Sequence, residues 1–421
     1  MNPKPSGIFR VLHTADWHLG KTLGNLDRTL EHQRFLQWLE ATVIEAEADA
    51  LVISGDVFDS ATPPQSAVQL YFQFLASLHQ KRKECRVVVI SGNHDSPAQL
   101  DAPRDLLQLI GVQVQATLPR RDDGSLAPAL LPLPSAEEPR LVIAALPFLR
   151  ERDLRRGELG QDADTIRREL QAGIVACYRA AAEAARRWEG VPLLATGHLT
   201  ALGAATSASE REIHVGGLGS VGADAFPDAF HYVALGHLHR PQAVGGRDHI
   251  RYAGSPIPLS FSEAQDAKEV RLLDFVGGRL VGNVPLPVPQ TRHLIELRVP
   301  EESLAAALRS FAPPPAELPA WVELTILDAK GEKDLVQTAQ LAARGREAEF
   351  EIVRVLLERE SAQPLLETGG TDAVEESILA SPKAVFAQRL KAGGFDEATQ
   401  TALLTAFDEL CDRLRELERS A

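Results

Sequence analysis

The sequence predicts an α/β layered domain, followed by a small α+β domain and a pair of C-terminal helices. Three observations carry that prediction. Over the first two-thirds of the chain, short β-branched runs alternate with longer helical patterns, the rhythm of a sheet layered with helices. Most of those runs end at once in a polar tip of Asp, Asn or His. Near the C-terminus the pattern changes to capped helices, the last with a heptad seam.

Taken in order, the strands are "FRVLHTAD" (9–16), "ADALVISGD" (48–56), "RVVVISGNHD" (86–95), "RLVIAALP" (140–147), "VPLLATGH" (191–198) and "HYVALGH" (231–237). Helical stretches lie between them at 27–47, 64–83 and 165–187. After "RYAGSPIPLSFSE" the pattern turns to a β ribbon, "KEVRLLDFVGGRLVGNVPLP", with Gly277-Gly278 as its hairpin turn. The first domain closes at residue 289. Residues 290–365 read as strand, helix, strand and helix, followed by "FEIVRVLLE", and form the α+β domain. A linker (366–380) leads to the helices of 381–421. Ser381 caps the first of these with Pro382 in its first turn, and Gly393-Gly394 stops it. In the second, Leu403, Phe407, Leu410, Leu414 and Leu417 alternate steps of four and three, a seam for a partner helix or for folding back on the α+β domain.

A hydrophobic content of 44% is ordinary for a soluble chain, and no window approaches the roughly 18 apolar residues of a membrane span. The N-terminal MNPKPSGIFR has no signal-peptide character, so a cytoplasmic protein is expected. Cys85, Cys177 and Cys411 lie far apart without a CxxC pair, against both a disulfide framework and a thiolate metal site. A net charge of -14 argues against indiscriminate polyanion binding, and residues 295–421 carry -10 of it. Nucleic-acid contact would need local basic patches in the first part, such as Arg150, Arg152, Arg155 and Arg156; a solvated helix face is the preferred reading of that run.

The chemistry lies at the strand tips. His237 and His239 of "GHLH" stand two positions apart after Tyr232-Val233-Ala234-Leu235, so strand alternation places them on one face. Asp16 and His18 of "DWH" repeat the spacing. Asp56 comes from "GDVFD", Asn93 and His94 from "GNHD", and His198 from "GH". Ligands of open α/β sheets bind beyond the carboxyl ends of the strands, so these tips share one rim. Two carboxylates, an amide oxygen and four imidazoles suffice for two metals, and a sulfur-free set favours manganese, iron or zinc. Asp59 fits either a hydrogen bond into the site or a helix cap. His13 is read as core, and His32, His79, His249 and His293 as surface histidines. The small-residue segment 203–226 fits a mobile loop over the substrate or a plain connector.

The ordered set DWH, GDVFD, GNHD, GH and GHLH resembles the calcineurin-like metallophosphoesterases, which are β-sandwiches flanked by helices and carry two metals. "VLHTADWHLG", "SGNHDSPAQL", "GGLGSV", "GHLHRPQ" and "YAGSPIPLSF" are similar to the branch whose members are bacterial DNA nucleases paired with an SbcC-type, SMC-like ATPase. The likeness is specific to about residue 262 and looser beyond it. It implies one divalent metal, most simply Mn2+, on Asp16, His18, Asp56 and His239, and a second on Asp56, Asn93, His198 and His237. It implies that His94 faces the phosphate and the leaving oxygen rather than a metal, with Asp95 orienting it. It further implies double-strand exonuclease and single-strand or hairpin endonuclease activity in DNA end processing, recombination and repair, with 290–365 as a DNA-binding cap. Residues 381–421 would dock the ATPase partner, since the chain has no GxxxxGK[ST] loop of its own. The same resemblance implies a homodimer through the nuclease domain, a heterotetramer with the ATPase, and a nucleoid-associated location. A phosphatase or cyclic-nucleotide phosphodiesterase on this dimetal scaffold is the alternative.

Overall fold

The computed structural model describes residues 4–155, 161–201, 204–205, 220–329 and 333–358, with 390, 399, 400, 403, 404 and 407 in addition. Met1–Arg359 form one compact unit and Glu360–Ala421 a second. In the first unit the chain runs through β1 (Phe9–Thr14), a short hairpin of β2 (Thr22–Leu23) and β3 (Leu26–Asp27), α1 (Thr29–Glu45), β4 (Ala50–Ser54), α2 (Gln65–Lys81) and β5 (Arg86–Ile90). Two short helices follow, α3 (Pro97–Asp101) and α4 (Arg104–Leu109), then β6 (Val112–Gln115). Next come β7 (Leu130–Leu133), β8 (Leu141–Ala144), α5 (Glu151–Leu154), α6 (Ala163–Ala185), β9 (Leu193–His198), β10 (Tyr232–Gly236), β11 (Gln242–Val244) and β12 (Arg247–Tyr252). The ribbon of β13 (Glu269–Val276) and β14 (Arg279–Pro287) closes the larger part.

These strands make two six-stranded sheets, in the orders β14-β13-β1-β4-β5-β6 and β11-β12-β10-β9-β8-β7. The continuous burial of β4 and β10 follows from where their alternate side chains go. Val11, Val52 and Val88 meet Ile143, Leu194 and Ala234 in a core between the sheets. Their neighbours Leu12, Leu51, Ile53 and Val89 point the other way, onto Phe35 and Leu39 of α1 and Leu75 of α2. Ala195, Val233 and Leu235 do the same toward Ile174 and Tyr178 of α6. Each strand is therefore apolar on both faces, as a sheet covered on both sides requires. This is the helix-flanked sandwich of the α/β class.

β15 (Leu294–Pro300), α7 (Leu304–Ser310), β16 (Ala320–Leu327), α8 (Lys333–Ala343) and β17 (Phe350–Leu357) form a three-stranded parallel sheet with its own core. Leu294 and Trp321 pack on Phe261 of the larger part, and Arg292 lies over the Trp321 ring at 4.1 Å. The linker and most of the C-terminal helical segment lie outside the described residues, as does most of 203–226. Among the described residues no helix is long and apolar enough to cross a membrane.

Candidate metal centre

The tips of five strands meet at one rim because the parallel registers align them: Thr14 pairs with Ile53, Ser54 with Ile90, and His198 with Gly236. The strands themselves end earlier than the sequence suggests. β1 stops at Thr14 and β10 at Gly236, so Asp16, His18, His237 and His239 stand on loops and strand alternation does not place them. Asp16, His18 and His237 take their direction instead from a left-handed backbone. Asp16, His18, Asp56 and His237 have φ of 53°, 46°, 48° and 101°, four of the six described non-glycine residues with positive φ. Such conformations cost about 1–3 kcal/mol each and persist where surrounding bonds impose them. Here the Asp16 and His18 amides donate to the carbonyls of Gly55 and Asp56, both at 3.0 Å, zipping two loops together.

Asp56 is central. Its Oδ2 lies 3.5 Å from His18 Nε2 and 3.3 Å from His198 Nε2, while its Oδ1 accepts the His94 amide at 2.9 Å. Asp16, His18 and His239 bring ligand-capable atoms within 4.8 Å of one another, as do Asp16, Asp56 and His198, and also His18, Asp59 and His94. Asn93 Oδ1 is 2.8 Å from His198 Nε2, and the His237 ring centroid is 5.5 Å from that of His198. All seven residues singled out as metal ligands thus face one site. Close glycines make this packing possible. A Cβ at Gly55 would stand 2.5 Å from His198 Nδ1, and one at Gly92 would stand 2.7 Å from Asp56 Cγ.

Partners behind the imidazoles fix their tautomers. The Nδ1–H of His198 donates to the Ser54 carbonyl at 2.9 Å, leaving Nε2 toward the site. His18 Nδ1 meets Asp59 Oδ1 at 3.1 Å, and His239 Nδ1 meets Glu263 Oε1 at 3.0 Å. Asp59 is therefore no helix cap; it holds His18, and its carbonyl accepts from His94 Nδ1 at 2.7 Å. That bond corrects one expectation: Asp59 rather than Asp95 orients His94. Asp95 accepts from the amides of Gly92, Phe58 and Val57 at 2.8–3.2 Å and so ties the two loops. His13 is core, as expected, with Nδ1 3.2 Å from the Tyr232 hydroxyl. His32, expected at the surface, is fully buried beneath the site, because α1 packs its own face against the β1 loop. Glu263 and Lys268 went unseen, having no motif around them; the only signal was a glutamate closing the small and apolar run "SPIPLSFSE".

A calcineurin-like phosphoesterase family model matches residues 9–138. The SbcD component of the SbcCD nuclease from Escherichia coli K12 is 36% identical over 95% of this chain and 97% of its own. Its Rhodobacter capsulatus counterpart is 41% identical over 73% of this chain and 76% of its own. That of Bacillus subtilis is 37% identical over 63% and 66%. The chain belongs to the SbcD family.

As an SbcD-family metallophosphoesterase the chain binds divalent metal, and its donors suit one. Asp16 Oδ2 and His18 Nε2 are buried without a hydrogen-bond partner, a costly arrangement that a cation would relieve. Burial pushes the Asp16 carboxyl up to about 7, against the pull of His198 and His239 and with repulsion from Asp56. Burial likewise raises Asp95 to about 7, reinforced by Asp56. Burial opposes the ionisation of Asp56 as well, but His198, then His18 and His94, hold it below the usual carboxylate range. Burial lowers His18 to about 4 against Asp59, and lowers His237 well below the ordinary value, so both offer a lone pair at neutral pH.

Proposed function

We propose that this SbcD-family chain cuts DNA at the rim site, holding one cation with Asp16, His18, Asp56 and His239 and the other with Asp56, Asn93, His198 and His237. The observation that carries the proposal is Asp56, whose single Oδ2 stands within 3.5 Å of imidazoles from both groups. A carboxylate between two imidazole sets is the bridge that a two-metal phosphodiesterase needs. Bound divalent cations, with Mn2+ the best match to this mixed oxygen and nitrogen set, supply a nucleophile at neutral pH and offset charge on the phosphoryl oxygens. The protein's own residues do the rest. His94, aimed by the Asp59 carbonyl that takes its Nδ1–H, is placed to deliver the Nε2 proton of its imidazolium form to the departing sugar oxygen. Asp95 acts one step back, holding the His94 loop against the Asp56 loop.

Several features support DNA as the substrate. Arg150 stacks on Phe148, whose ring is 6.4 Å from that of His198, so a cation borders the site where a phosphate backbone would pass. Residues 290–365 cap the nuclease domain, and 381–421 dock an SbcC-type ATPase in a heterotetramer of the nucleoid. Leu106 and Leu109, three positions apart on α4 and 71% and 78% exposed, suit a homodimer contact of the nuclease domain.

The test is Mn2+-dependent cleavage of a labelled DNA hairpin by the full chain, with His94→Ala and a small phosphodiester in parallel. Hairpin cleavage that the variant loses supports the proposal. Turnover of the small diester alone, even with an SbcC-type ATPase added, would overturn the DNA role and favour a phosphatase or cyclic-nucleotide phosphodiesterase.

A further inference from the structure

We propose that Glu263, neutralised by Lys268, is the positioning residue that presents His239 to the metal centre; the inference rests on the ligand assignment above. Neither charged side chain has solvent to stabilise it. Glu263 is 0% exposed and Lys268 3%. Burying a charge pair is seldom favourable for stability alone, so its geometry has to be explained.

The two carboxylate oxygens are used differently. Oε2 accepts from Lys268 Nζ at 2.6 Å and from Ser255 Oγ and the Leu259 amide, both at 3.1 Å. Oε1 meets His239 Nδ1 at 3.0 Å. A carboxylate held by an ammonium is ionised and can only accept, so the imidazole proton sits on Nδ1 and the lone pair on Nε2. Lys268 Nζ and the Ser255 amide also donate to the His239 carbonyl, each at 3.1 Å. Ring and backbone of one histidine are thereby clamped by a single buried network. The turn Phe261–Glu263 that carries the carboxylate is pinned at its other end, where Phe261 packs on Leu294 and Trp321.

The site is asymmetric in consequence. His18 and His239 both have carboxylates behind them, Asp59 and Glu263, whereas His198 has the neutral Ser54 carbonyl. A carboxylate makes an imidazole a more basic ligand, and loss of such a partner typically weakens metal binding about 10–100-fold. Removing Glu263 should therefore weaken one ion and spare the other.

The experiment is Mn2+ titration of the full-length chain, read by calorimetry and by the resonance of free Mn2+, for the parent, Glu263→Gln and the double variant Glu263→Gln/Lys268→Met. The double variant avoids a stranded ammonium, so folding is not burdened by an unpaired charge. Expected is binding of one of two ions weakened about 10–100-fold, with the other ion and the circular dichroism of the apoprotein unchanged. Parent-like affinity for both ions in the folded double variant would reduce Glu263 to a structural ion pair. A parent that binds fewer than two ions would instead sink the ligand assignment, and this inference with it. Should neither variant fold, nitrogen NMR of the parent without metal decides, with His239 assigned by its loss in His239→Gln: an Nδ1-protonated ring supports the proposal and an Nε2-protonated ring refutes it.

Discussion

Gly92→Ala should damage catalysis far more than folding. Gly92 precedes Asn93 and His94, and a Cβ there would lie 2.7 Å from Asp56 Cγ and nearer still to its Oδ1. Ordinary contact begins at 3.4 Å, so Asp56 and the 92–95 loop must part by at least about 0.7 Å. Neither side yields easily. The loop is bonded to Asp56 through the His94 amide, and Asp95 ties it to the amides of Val57 and Phe58. Overpacking of this kind costs about 1–3 kcal/mol, which a chain this size tolerates. A misplacement of about 1 Å at reacting groups costs about 100-fold in rate, so the expected fall in kcat/KM is about 10–100-fold. The assay is Mn2+-dependent hydrolysis of a small phosphodiester, alongside thermal denaturation. The control is Gly190→Ala, where φ is +83° and no atom lies within 4 Å; it should lose stability by about 1–2 kcal/mol with unchanged rate. A Gly92→Ala protein with parental kcat/KM and metal affinity would refute the claim that Asp56 is held in place by this close approach.

Other substitutions separate the roles. Asp56→Asn should weaken both ions by more than the roughly 100-fold typical of losing an outer partner, checked by metal analysis after dialysis; two ions retained would exclude a bridge. His94→Ala should abolish turnover yet keep both ions, whereas loss of metal would make His94 a ligand. Burial, then the charge of Arg271, lowers His13 to about 3, so between pH 6.5 and 3 only the unfolded chain takes up its proton. That contribution is complete above pH 6.5 and is lost as the pH falls, by about 1.4 kcal/mol per unit. His13→Gln keeps a partner for the Tyr232 hydroxyl and should flatten urea-denaturation stability between pH 6.5 and 5 by that slope; an unchanged slope would show His13 does not titrate this way. Deleting residues 381–421 should spare metal-dependent cleavage and abolish association with an SbcC-type ATPase, and an unchanged pull-down would contradict it.

The residue types of the site and their order along the chain were legible from sequence, because each motif is a few adjacent residues after an apolar run. The layered fold was legible for a similar reason: runs such as Leu51 to Ile53 are apolar at every position, as a sheet covered on both faces requires, and they alternate with longer helical stretches. Alternation failed at the tips. Asp16, His18 and His237 adopt left-handed backbone beyond the strand ends, and that conformation is imposed by bonds between loops rather than by local sequence. Only the tertiary structure decided that Asp59 rather than Asp95 aims His94, that His32 is buried, and that Glu263 and Lys268 stand behind His239. Glu263 lies 24 positions from the histidine it touches. A contact across that distance depends on how two sheets and their loops pack, and periodicity and motif spacing report only on neighbours along the chain.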